Sequence, residues 1–179
     1  MATALVIMTG LIMIGAGCAT APPTPSSSGR EPVVMTRPDT IRLGVARLVN
    51  ATDIIITGYR FEPQDSVFIR MTPVDGELDG EAGLILADAV VDETGHFKTE
   101  VEKLVKITDL LRADVALNED MENYIIIDGP PIPVGTYRLV AESMESGKTA
   151  SCLLEVKGPS WGDRFKDWLG RRLGKIEKR

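Results

Sequence analysis

Between residues 30 and 157 the chain repeats one pattern: short runs of alternating apolar and polar side chains, broken by Gly, Pro, Asn or Asp. Ile41, Leu43 and Val45 alternate with Arg42 and Gly44, and residues 53–57 hold Ile54, Ile55 and Ile56 before Gly58. Val67, Ile69 and Met71 alternate with Ser66, Phe68, Arg70 and Thr72; residues 84–91 follow an acidic turn; Phe97, Thr99 and Val101 alternate after Gly95. Residues 124–127 are a further apolar run. Tyr137, Leu139 and Ala141 alternate with Arg138, Val140 and Glu142, and Ala150, Cys152, Leu154 and Val156 with Ser151, Leu153, Glu155 and Lys157. A period of two with one apolar face is what a strand packed on one side requires. Such runs separated by turn residues predict an all-β fold, an antiparallel β-sandwich over residues 31–157.

Two stretches carry a helical period instead. Within residues 103–123, Leu104, Ile107, Leu111 and Val115 fall at helical spacing with Thr108 as a candidate N-cap, which predicts a short helical insertion. It either covers one end of the sandwich or protrudes as a partner-binding loop. In residues 158–179, Trp161, Phe165, Trp168, Leu169, Leu173 and Ile176 recur so that a helix gathers them on one face, with basic residues around it. Gly162, Gly170 and Gly174 each cost about 1 kcal/mol relative to alanine, so this amphipathic helix needs a surface to form on. Three surfaces compete: an anionic membrane, the acidic body of the same chain, and a partner protein. Trp161, Phe165, Trp168, Arg171 and Arg172 are the residues expected to make that contact.

Residues 1–29 contain no charge, and residues 4–17 are an apolar and small-residue run of the length of a secretory signal's hydrophobic part. Counted from Met1 to Ala21 the run approaches the roughly 20 residues of a membrane span, so an uncleaved anchor stays open. Gly15-Ala16-Gly17-Cys18 resembles the lipobox of bacterial lipoproteins, with small residues before a cysteine that becomes the lipidated first residue. That family usually has Leu where Gly15 stands. Residues 19–29, ATAPPTPSSSG, have too little apolar surface and too many prolines to fold, and read as a tether. The resemblance implies a signal peptide over residues 1–17, a lipidated Cys18 with a tether to residue 30, and, with Ala19 after the cysteine, attachment to the outer membrane.

Three local motifs sharpen the sandwich. Gly58, Phe61, Pro63, Asp65 and Val67 form a G-x-x-F-x-P-x-D-x-V turn; Gly95-His96-Phe97 a G-x-F strand start; Pro133, Gly135 and Tyr137 a P-x-G-x-Y strand entry. In this order they resemble bacterial immunoglobulin-like domains. The resemblance implies an immunoglobulin-like sandwich in which Tyr137 bonds back to its loop.

Composition then narrows the chemistry. With 179 residues, 44% apolar and 26% charged, the chain holds one ordinary domain plus appendages. Its net charge of −6 is split: residues 161–179 carry seven basic and three acidic side chains, which leaves −10 on the rest. An acidic body is not a nucleic-acid surface. No phosphate-cradling loop, HExxH helix or CxxC pair is present, and His96 is the one imidazole, so neither an enzyme nor a cofactor is expected. Cys152, on an inward strand face, reads as a buried, unreactive thiol. Asp75, Glu77 and Asp79 place carboxylates at alternate positions as in the front half of a calcium loop, but Leu86 stands where the closing Glu belongs. The expectation is a non-enzymatic, membrane-anchored lipoprotein, a structural or protein-binding module of the envelope held through Cys18. The alternative is a carbohydrate- or calcium-binding module using Tyr59, Phe68 and Tyr124 or the acidic turn.

Overall fold

The computed structural model describes residues 31–75, 83–119 and 121–178. In chain order the elements are β1 (Val33–Arg37), β2 (Thr40–Arg42), α1 (Val45–Ala51), β3 (Ile55–Tyr59), β4 (Ser66–Pro73), β5 (Leu84–Val90) and β6 (His96–Glu100). Then come α2 (Lys103–Val105), running into a π turn (Lys106–Leu110), β7 (Ala113–Leu117), β8 (Asn123–Ile127), β9 (Gly135–Ser143), β10 (Thr149–Lys157), α3 (Trp161–Arg172) and β11 (Ile176–Lys178). Among the described residues the fold is predominantly β, in three sheets ordered β1-β3-β6, β2-β10-β9-β4-β5 and β11-β8-β7.

The period of two explains the two larger sheets. Val67, Ile69 and Met71 on β4, Tyr137, Leu139 and Ala141 on β9, and Leu154 and Val156 on β10 all point into one core. Val34, Ile56 and Phe97 enter the same core from the three-stranded sheet. Burial of such side chains contributes about 1.5–3 kcal/mol each, which makes this shared core the main support of the fold.

The turn motifs turn out to be joints between these sheets. Gly58 on β3 faces Phe97 on β6, and a Cβ there would lie 2.0 Å from the Phe97 ring, so glycine is required for the ring to lie flat across the strand. Phe61 meets Phe97 edge-on at 5.2 Å, and its amide donates to the Gly95 carbonyl at 3.1 Å. Gly95 itself has φ +80°, in the region that favours glycine. Tyr137 donates its hydroxyl to the Pro133 carbonyl at 2.8 Å.

Several expectations are corrected. Val45 does not continue a strand: β2 stops at Arg42 and Val45 opens α1, because the Leu43 amide still bonds to the Lys157 carbonyl while Gly44 begins the helix. Strand β1 lies outside the period-two runs identified above; Val34 and Thr36 are buried on it while Val33 and Met35 are exposed. The stretch 103–123 is helical only as far as Leu110; Arg112, with φ 51°, turns the chain into the β7–β8 hairpin, so Val115 sits on a strand. Thr108 is no N-cap, since its hydroxyl donates to the Leu104 carbonyl within the helical segment. The sheets are not wholly antiparallel, because β2 runs parallel to β10 and β11 parallel to β8. Ile176, placed on the helical face by its spacing, is instead buried in β11.

Candidate interaction surface on the C-terminal helix

Helix α3 starts where the sequence lets it start. The Ser160 hydroxyl accepts from the Asp163 amide at 3.2 Å, while Asp163 accepts from the Ser160 amide at 2.9 Å and its hydroxyl at 2.6 Å, a reciprocal capping box. Arg171 and Arg172 complement the dipole in the last turn. Gly174, with φ +68°, then ends the helix and redirects the chain into β11.

The helix docks by its polar side. Asp167 accepts from the Val45 amide at 3.1 Å and the Ala46 amide at 2.9 Å, which satisfies two orphan N–H groups at the start of α1 that no cap of its own covers. Asp163 is 2% exposed and meets the Arg47 guanidinium at 3.4 Å. Burial pushes the Asp163 carboxyl up, but the Ser160 hydroxyl and amide and the Arg47 charge outweigh it and hold it below the usual carboxylate range. Gly44 makes the approach possible: a Cβ there would lie 2.6 Å from the Asp163 Cβ. Gly170 lies against Ile176 in the same way, its would-be Cβ 2.7 Å from the isoleucine tip.

The aromatic stripe therefore faces away from the body. At 100° per residue, Trp161, Phe165, Trp168 and Arg172 stand opposite Asp163, Asp167 and Gly170. Trp161 is 83% exposed, Phe165 52% and Trp168 45%. The three rings stack along the helix, Trp161 on Phe165 at 6.1 Å and Phe165 on Trp168 at 5.7 Å, and the Arg172 guanidinium lies 5.4 Å from the Trp168 ring. Arg164, Lys166, Arg171 and Arg172 are all exposed. An amphipathic helix ordinarily buries its apolar face. This one turns its acids to the body, Asp163 buried and Asp167 half-buried, and shows its aromatics and its cations, all five of the expected contact residues among them.

The other sequence candidates are not brought together. Cys18, Glu77 and Asp79 lie outside the described residues, and Asp75 is exposed at their edge; among the described residues no cluster of three metal-ligating side chains forms. Tyr59, Phe68 and Tyr124 sit on three different sheets. His96 packs edge-on against Tyr59 at 4.8 Å and its ring Nδ1 lies 3.3 Å from the Thr94 hydroxyl, a turn residue by its contacts. Cys152 is half-buried, and burial raises its thiol pKa. Between α1, the π turn and the β7–β8 hairpin an open groove of about 530 Å³ is lined by Val49, Leu104, Ile107, Val115 and Ile125, together with Lys103 and Lys175. Among the described residues no helix is long and apolar enough to cross a membrane.

Sequence reasoning missed Gly44, Asp163 and Asp167 as the residues that orient the helix. The spacing Ser160-x-x-Asp163 is a legible capping signal, but nothing in the sequence shows that α1 would lend its amides to Asp167.

No protein-family model matches the chain, and no curated protein does. Among solved structures the chain is similar to macromomycin, with 17% identity, a TM-score of 0.37, and coverage of 70% of this chain and 98% of that one. A superposition that loose carries nothing about what this chain binds.

Proposed function

We propose that the protein is a non-enzymatic, lipid-anchored module of the bacterial envelope. In this reading an immunoglobulin-like sandwich, tethered through a lipidated Cys18 on the outer membrane, presents the outer face of α3 as a structural or binding contact. The observation that carries it is the orientation of α3: a helix held by three-way polar contacts with its aromatic stripe outward is built to touch something other than its own domain.

The immunoglobulin-like part of the reading is supported by strand order and by one side chain. A sheet β1-β3-β6 facing β2-β10-β9-β4-β5 resembles the ABE and A′GFCC′ arrangement of that fold. The Tyr137 hydroxyl reaching back to Pro133 near the start of β9 resembles a tyrosine corner. The anchoring part is supported by the Gly-Ala-Gly-Cys sequence and by the Pro- and Ser-rich stretch between Cys18 and the first strand.

Metabolic labelling with a palmitate analogue tests the anchor. The native chain is expected to take up label and fractionate with membranes, and Cys18→Ala to lose the label. A Cys18→Ala protein that stays fully labelled and membrane-bound overturns the proposal.

A further inference from the structure

We infer that the outward face of α3 docks on an anionic phospholipid bilayer; the inference rests on the envelope reading above and gives its second contact a chemistry. Charge points there first. The acids of α3 are both spent on the body, Asp163 buried and Asp167 on the α1 amides, whereas Arg164, Lys166, Arg171 and Arg172 are exposed. The exposed charges of the helix itself are thus all cationic, and beyond it Lys175, Glu177 and Lys178 are exposed and add one further net positive charge. Anionic headgroups are the complement of that field.

Shape and side-chain type agree. The stripe is a ridge on a convex helix, which a fluid, flat surface accepts without a matching groove. Trp and Phe bury well at the acyl boundary, and arginines beside them keep their charge at headgroup level while their stems lie along apolar surface. The helix is also formed in advance. Its capping box and its hold on α1 fix it before contact, so the two tryptophans arrive already aligned.

The chain reports on this site by itself, because its two tryptophans, Trp161 and Trp168, are both on the stripe. The experiment is tryptophan emission of the purified full chain with phosphatidylcholine vesicles containing or lacking phosphatidylglycerol. The expected result is a blue shift and quenching by bromine-labelled acyl chains on the anionic vesicles alone, reversed by high salt. Arg171→Gln and Arg172→Gln are expected to weaken that response about fivefold each. Equal shifts on neutral and anionic vesicles overturn the charge-based docking. A blue shift that grows with protein concentration without vesicles overturns it in favour of a second copy of the chain. A chain that floats with vesicles while its emission stays unmoved overturns it too, yet leaves the anchor at Cys18 standing. Loss of palmitate labelling fails the anchor without touching the emission result.

Discussion

Asp65 shows how one side chain can tie distant loops together. Its carboxylate accepts from the Glu145 amide at 3.1 Å, the Ser146 amide at 3.0 Å and the Ser146 hydroxyl at 2.8 Å, and its carbonyl accepts from the Val91 amide at 2.9 Å. The turn before β4 is thereby held to the turn between β9 and β10 and to the end of β5. Burial pushes the Asp65 carboxyl up, but the Ser146 amide and hydroxyl and the Glu145 amide outweigh it and hold the pKa far below the usual carboxylate range. A carboxyl with a lowered folded-state pKa adds stability above its unfolded value, about 3.9, and that stability is lost as pH falls toward the folded value. Asp65→Asn turns one acceptor into a donor facing other donors, and is expected to cost about 2 kcal/mol at pH 7 in urea denaturation. The gap between native and variant should narrow steadily below about pH 4; a gap that stays constant down to pH 2 would show that the charge of Asp65 contributes nothing. The motif around Asp65 was legible as a turn, since Pro63 and Asp65 carry local turn chemistry. Ser146 was not, because the contact spans 81 residues and no local pattern encodes it.

At the scale of elements, the pairing of α1 with α3 decides what the protein shows to its surroundings. Seven-residue α1 is too short to hold a helix alone and has no cap of its own, so Asp167 serves as a cap supplied from another element. Asp167→Ala is expected to cost about 1 kcal/mol, as the loss of a cap does. Gly44→Ala should act on the same joint by steric means, since its Cβ and that of Asp163 would stand 2.6 Å apart with backbone behind both. Amide hydrogen exchange checks both variants: α1 and α3 should lose protection while β9 and β10 keep theirs. Loss of protection throughout would make the joint part of the global fold rather than a local dock. Helix α3 was readable from its period and its Ser160-x-x-Asp163 start. Its orientation was not, because periodicity says which face is apolar and the receiving surface here offers N–H groups instead of a greasy groove. Helix α1 was hidden for another reason: Val45 continues the alternation of Ile41 and Leu43, and only the break at Gly44 marks the change. The β7–β8 hairpin hid behind a helical spacing that runs as far as Val115, although Arg112 had already turned the chain.

The whole molecule separates its two proposed contacts. Residue 31 lies beside Arg60, at the end that holds the Gly95 and Gly147 turns, whereas β2, α1 and α3 gather at the end where β10 finishes. The nine-residue strands β9 and β10 put roughly 30 Å between those ends. Thirteen residue steps connect Cys18 to Glu31, and whatever their conformation they span at most about 47 Å. Under the proposed lipidation of Cys18, that reach lets α3 rest on the same leaflet as the lipid with the body standing between the two contacts. Deleting residues 22–28 leaves six steps, at most about 22 Å, shorter than the body. With the acylated chain in dilute anionic vesicles, the native tether should let bromine-labelled lipids of the same vesicle quench Trp161 and Trp168. The shortened tether should abolish that quenching and, when vesicles are concentrated, make them cluster as α3 reaches for a second surface, which light scattering would record. Undiminished quenching without clustering would mean that the body tips onto its side, and that tether length does not set which membrane the helix meets.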